Sequence, residues 1–417
     1  NLLAAVCVIA ATTAAWTQAA DDKQPTPAAK GIDQVAFDLY TRLKAEDDGN
    51  LFFSPYSISS ALAMTYVGAR GETAREIMKT MHYGAPRPTA AAYRTLRKTL
   101  VDVPDNAGYR LHVANRLWGH RTYEFEKAFL RINRTYFGAP LRRVDFGQTE
   151  KTRKQINAWV EDQTEDKIEE LLRQGDLDAA TRLVLTNAIY FKGNWAHAFD
   201  PERTHKAPFY VPRPDGERPE RIQVNMMFRK ERLPYLVSAN LPQNEDLPKF
   251  TMVALPYNGD DLSMVVILPD ERDGLDDVEA AVLTPRLQTW IMEHMRKTEV
   301  STYLPKFKIE GATIDLGSHL QALGMQQAFT SNADFSGMTP AGGLFISKVL
   351  HKAFVEVHEE GTEAAAATAV VMTKSAGGPF KKRVVFRADH PFIFLIRDNR
   401  TGCILFLGRL SKPAAVD

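Results

Sequence analysis

The hydrophobic period of this chain changes once, near Arg182, and no linker marks the change. Before it, Ile32, Val35, Ala36, Leu39, Tyr40 and Leu43 recur at helical spacing and predict a first amphipathic helix. Ser54 followed by Pro55 supplies an N-cap and a first-turn proline for a second helix that closes near Gly68. Further helices are expected over 72–81, 90–101, 126–136 and 149–172. After Arg182, β-branched and aromatic residues gather between turn signals over 183–191, 222–228, 250–255, 262–268 and 299–309, which predicts strands. Helical stretches over 275–296 and 314–323 interrupt them, and a hairpin is expected over 391–396 and 403–410 around Asp398-Asn399-Arg400. Helices and strands segregated in this way, with no internal repeat or glycine-serine linker, imply one α+β domain.

Lysine plus arginine (52) balance aspartate plus glutamate (51), which argues against a nucleic-acid or anionic-membrane partner held by bulk charge. The apolar run from Leu2 to Trp16, followed by Ala19 and Ala20, predicts a partial signal peptide over 1–20. The run is short against the ~20 residues a membrane span needs. Residues 21–30 read as a disordered leader, and the folded domain is expected over 31–417. A secreted or periplasmic, cell-envelope location follows from that reading. Cys7 and Cys403 are the only cysteines, so loss of the signal would leave one thiol and no intramolecular disulfide.

The segment from Glu359 to Thr368 reads EEGTEAAAAT: Glu359, Glu360, Gly361, Thr362, Glu363, Ala364, Ala365, Ala366, Ala367 and Thr368. Four alanines favour helix by propensity. The stretch feeding into them, Phe345, Ser347, Val349, His351, Ala353 and Val355, has period two. Continued as a strand, Thr362, Ala364, Ala366, Thr368, Val370 and Met372 lie on one face, uncharged and without proline. Such a face tolerates burial, and Gly361 would supply freedom for a bend. On these residues alone, an alanine-rich surface linker or a short helix fits as well. His358-Glu359 begins like a zinc-protease HExxH, but Thr362 stands where the second histidine belongs. There is no GxSxG elbow, phosphate-binding loop or CxxC pair, so no enzyme and no cofactor or metal is expected.

The rest of the chain resembles the serpin family along nearly its whole folded length. The resemblance is carried by NLFFSPYSI (50–58), LTNAIYFKGNW (185–195), LPKF (304–307), Asp334-Phe335-Ser336, the stretch 351–368 and FRADHPFIF (386–394) in this order and spacing. It implies three β-sheets with about nine α-helices and an exposed reactive loop over about 359–385. It also implies a suicide inhibitor: the target's serine forms an acyl-enzyme with the loop, which then inserts into the central sheet, an established case of strand addition. Some 14 inserted residues at ~3.3 Å each span roughly 45 Å.

By the same resemblance Glu359 to Thr368 form the hinge, and the acyl bond falls on Ser375 with Ala376 on the leaving side. Lys374-Ser375 is the alternative, because 361–392 is longer than in familiar members. Ser375-Ala376 suits elastase-like or subtilisin-like proteases and Lys374 trypsin-like ones, with cysteine proteases a further class of target and the inhibitor a monomer. Ser54, Ser57, Asn187 and His351 match a buried polar cluster behind the parting strands, and Trp195, Thr204 and Phe209 match the region where the loop enters. A serpin that does not inhibit, acting as carrier, chaperone or storage protein, is the alternative function.

Overall fold

The computed structural model describes residues 25–104, 107–213, 217–242, 246–362 and 383–414. Nine α-helices occur among them: α1 (Pro27–Lys44), α2 (Pro55–Tyr66), α3 (Gly71–Thr80), α4 (Pro86–Leu100), α5 (Lys127–Ile132), α6 (Thr149–Gln163), α7 (Leu275–Val282), α8 (Arg286–Thr289) and α9 (Gly317–Ala322). The strands form two hydrogen-bonded sheets. In the first, β1 (Leu51–Phe53), β16 (Ile404–Leu410), β15 (Phe392–Asp398), β8 (Leu262–Pro269), β7 (Phe250–Pro256), β6 (Glu220–Val237), β9 (Arg296–Pro305) and β14 (Val384–Arg387) follow in that order, with β5 (His205–Val211) on β6. The 18-residue β6 carries the pairing from one half of this sheet to the other, so two of the three expected sheets are continuous through it.

The second sheet has seven strands. β10 (Phe307–Glu310) and β11 (Ile314–Asp315) pair with β12 (Lys348–Val357). β12 runs parallel to β4 (Leu183–Asn194), β4 is antiparallel to β2 (Tyr109–His120), and β2 is parallel to β3 (Arg142–Val144). The two-residue strand β13 (Gly361–Thr362) completes it. From Leu183 to Phe191 every residue of β4 is buried, because the sheet is covered on both faces; that explains the unbroken apolar run in the sequence. On one face lies the main core with α2, whose small and apolar residues (PYSISSALAMTY) bury along its whole length. On the other, Ile156 and Val160 of α6 pack with Trp118, Tyr190 and Phe354 in a smaller cluster.

Several elements differ from the sequence reading. Strands β2 and β3 lie in the half expected to be helical. α1 starts at Pro27, with Thr26 accepting from the Ala29 N–H at 3.2 Å and Ala29 fully buried, so the leader expected over 21–30 is ordered from its seventh residue onward. The helix expected over 149–172 ends at Gln163, since Glu165 and Asp166 take positive φ (50° and 59°). That expected over 275–296 breaks at Pro285, which lacks an N–H and holds its predecessor out of the helix. Residues 1–24, with the expected signal peptide, lie outside the described residues. The Asn133 side chain, which opens the Asn-Arg-Thr stretch 133–135, is fully buried and donates to the Phe129 carbonyl at 3.3 Å.

Candidate functional site

β12 and β4 lie side by side over Lys348–Phe354 and Val184–Tyr190, parallel and directly bonded. At the upper end of this seam the chain leaves β12, turns at 358–360 and comes back as β13. Thr362 pairs antiparallel with Val357 of β12 and with Gly193 of β4, and Gly361 pairs with Asn194. A parallel pair is thus parted for two residues by a strand antiparallel to both. Thr362 is fully buried, and its hydroxyl meets that of Tyr257 at 2.7 Å. Gly361 is required for a reason other than a bend, since its φ is not in the left-handed region. A Cβ there would overlap the Gly193 carbonyl oxygen and stand 2.7 Å from the Asn194 Cα. Gly361→Val is therefore expected to expel β13 from the seam and lower the first unfolding midpoint, as read by thermal denaturation followed through tryptophan fluorescence.

The segment before β13 is clamped by the residues expected where the loop enters. The Trp195 indole donates to the His358 carbonyl at 3.0 Å and its backbone N–H to the Glu360 carbonyl at 2.9 Å, while the Phe199 N–H donates to the Glu359 carbonyl at 2.8 Å. The Trp195 ring stacks on Tyr257 with centroids 4.6 Å apart. Thr204 donates its hydroxyl to the Glu359 carboxylate at 2.8 Å, and Lys306 pairs with the other oxygen at 3.0 Å. Burial by itself would raise the Glu359 pKa, but the bonds from Thr204 and Lys306 outweigh it and hold the carboxyl below its usual range. Phe209 does not join this group: it is buried in β5 opposite Ile222, and no ring contact links it to 358–362 among the described residues. Lys306, Tyr257, Phe199 and Gly193 are the partners that sequence reasoning missed. Glu359→Lys turns the clamp into a like-charge contact with Lys306; urea unfolding should show the uncleaved form weakened by about 1–3 kcal/mol.

Lower in the seam, Ser54, Ser57, Asn187 and His351 lie together with Asn115. Asn115, Asn187 and His351 are cross-strand neighbours on β2, β4 and β12. Ser54 caps α2 by accepting from the Ser57 N–H at 3.1 Å, and also donates its hydroxyl to the Leu405 carbonyl at 2.6 Å. The Ser54 N–H donates to His351 Nε2 at 3.1 Å, so His351 carries its proton on Nδ1 and gives it to Asn187 Oδ1. Asn187 donates to Ser57 Oγ at 2.6 Å and to Asn115 Oδ1; Ser57 Oγ donates to Asn115 Oδ1 at 3.0 Å. Burial lowers the His351 pKa to about 3, so the ring is neutral. The remaining hinge positions, Glu363, Ala364, Ala365, Ala366, Ala367 and Thr368, and the bond candidates Lys374, Ser375 and Ala376 lie outside the described residues.

Among the described residues no group of three or more His, Cys, Asp or Glu side chains is placed to hold a metal ion, and no helix is long and apolar enough to cross a membrane. Cys403 is buried, which pushes its thiol well above the ordinary range.

A largely buried parallel seam, parted at its upper end by two residues of its own chain and backed by a buried hydrogen-bonded polar network, is the central feature of the second sheet. The family model described as Serpin (serine protease inhibitor) matches residues 30–413, and the chain belongs to that family. It is 44% identical over 387 residues to the leukocyte elastase inhibitor of Sus scrofa, covering 91% of this chain and 98% of that protein. It is 45% identical over 388 residues to the Homo sapiens leukocyte elastase inhibitor, with coverages of 91% and 98%. Among solved structures, Serpin48 of the insect Tenebrio molitor superposes with a TM-score of 0.80 at 31% identity, covering 93% of this chain and 98% of the other. The leukocyte elastase inhibitors overturn the expected secreted or periplasmic location, because they are intracellular serpins.

Proposed function

We propose that this chain inhibits serine-type endopeptidases as a suicide substrate, with one serpin domain that begins at α1 and a reactive loop over about 359–385. The observation that carries this reading is β13, which already occupies the top of the seam in the register a longer insert would need. In an inserted loop, the same two pairings continued downward would set Ala364 between Val355 and Phe191, Ala366 between Ala353 and Ile189, and Thr368 between His351 and Asn187. These neighbours lie in the main core or in the polar network, so the even-numbered hinge residues would meet apolar surroundings and then a hydroxyl partner. The odd-numbered set would face the α6 side. Alanine at most of these positions keeps the bulk that must pass between two packed strands small.

Targets with a small primary pocket, elastase-like or subtilisin-like, follow if Ser375-Ala376 is cleaved, and trypsin-like ones if Lys374-Ser375 is. The test is incubation with one protease of each kind, denaturing electrophoresis, and mass spectrometry of the released C-terminal peptide. A denaturation-resistant adduct is expected, with a peptide beginning at Ala376 or Ser375. The loop-cleaved form should melt higher by on the order of 10–20 °C. Cleavage by every protease without adduct would leave the carrier, chaperone or storage reading instead.

A further inference from the structure

We propose that the outer face of the β6, β9 and β14 stretch is a docking surface for an acidic patch on the target protease. This inference rests on the inhibitory reading above. Phe228, Tyr303 and Arg387 are cross-strand neighbours on β6, β9 and β14. The Phe228 and Tyr303 rings lie 4.7 Å apart; the Arg387 guanidinium sits 3.8 Å from the Tyr303 centroid and that of Arg203 4.0 Å from the Phe228 centroid. The result is a four-member ladder with a cation at each end. Two positions further along the strands, Lys230, Ser301 and Val385 occupy the same face, followed by Arg232 opposite Glu299. Arg203, Lys230 and Arg232 are exposed, as is Val385 at 53%, whereas the alternate residues Thr302, Val300, Phe386 and Met227 are buried.

Four cations meet on this face. A chain with a net charge of +1 gathers Arg203, Lys230, Arg232 and Arg387 here, and the sole acid among these strand positions, Glu299, is 2.9 Å from Lys230. Stacking on aromatic rings fixes the guanidinium groups, so that less side-chain freedom is lost on binding. Arginine beside tyrosine is also the composition that concentrates binding energy in interfaces. Position then selects the partner. β14 follows the loop within the chain, and from Ala376 to Arg383 an extended chain reaches at most about 25 Å. A protease domain of some 230 residues has a radius of gyration of about 17 Å. An enzyme engaged at that bond therefore overhangs this face, and opposite charges there speed encounter.

The test uses the full chain, a trypsin-like protease of acidic pI and one of basic pI, and the variant Arg203→Glu/Lys230→Glu, with Lys151→Glu/Lys154→Glu on α6 as the charge-matched control. The second-order rate of loop consumption, by cleavage or adduct, is measured at low and high salt. That rate reports docking even if no adduct forms, so failure of the inhibitory reading is recorded separately by the adduct fraction. The Arg203→Glu/Lys230→Glu variant is expected to react at least tenfold more slowly with the acidic protease at low salt, to converge with wild type at high salt, and to be unchanged or faster with the basic one. Equal rates for variant and wild type, or an equal loss in the control, overturns the proposal. So does a variant that loses heparin binding while its protease rates stay unchanged, which would make the face a polyanion site.

Discussion

Replacing Thr362 with arginine is expected to abolish the denaturation-resistant adduct while the loop is still cleaved at close to the wild-type rate. Thr362 is fully buried between Val357 and Gly193 and bonded to Tyr257. A guanidinium placed there has no carboxylate partner, and an unpaired buried charge costs several kcal/mol. The cost falls on insertion, because arginine can leave the seam for solvent in the uncleaved form but must re-enter it when the loop inserts. Insertion competes with hydrolysis of the acyl-enzyme, and each ~1.4 kcal/mol added to its barrier slows it tenfold. A penalty of about 3 kcal/mol would therefore slow insertion roughly a hundredfold and give the competition to hydrolysis. Electrophoresis with a protease that wild type traps would show cleaved inhibitor, active enzyme and less than about a tenth of the wild-type adduct, whereas Thr362→Ser should trap normally. A Thr362→Arg protein that forms adduct at wild-type yield would rule out insertion through this seam.

His351 provides the second large effect, read as pH-dependent stability. Its pKa in the fold is about 3, against about 6.5 unfolded. Between those values the unfolded chain binds the extra proton, so the contribution of His351 is complete above about pH 6.5 and is lost as pH falls toward 3. From pH 7 to 4.5 the loss is about 2.5 kcal/mol. Asp33 acts in the opposite sense: burial raises its carboxyl to about 7, so its contribution is present at low pH and lost as pH rises through 7. Comparing wild type with His351→Gln cancels Asp33. The first urea transition of wild type should lose about 2.5 kcal/mol more than that of the variant on going from pH 7 to 4.5. Parallel pH profiles would mean that His351 titrates alike in both states and that its ring is not locked into the network.

What was legible in the sequence came from local periodicity and from ordered motifs. β7, β8, β15 and β16 sit where runs of β-branched and aromatic residues placed them, and the Ser54-Pro55 pair caps α2. β2 was missed because its alternation, YRLHVANRLWGH, is interrupted by the polar Asn115, the residue that completes the network around Asn187. The polar cluster was identified by resemblance. The bonds inside it depend on strands distant in the chain lying in register, as do the Glu359 clamp with Lys306 and the Tyr257 hydroxyl under Thr362.

By itself the sequence determined that helices and strands share one α+β fold, that the fold is a serpin's, and that the stretch beyond Gly361 is small and uncharged enough to enter a sheet apart from Glu363. Those properties are written in side-chain size, charge and spacing, which a linear chain displays directly. Only the tertiary structure decided that Gly361 is needed because the Gly193 carbonyl approaches it, that β13 already parts β12 from β4, and that the cations of β6 and β14 share one aromatic-braced face. Each of these is a distance between segments far apart in sequence, and such distances exist only once the sheets have closed.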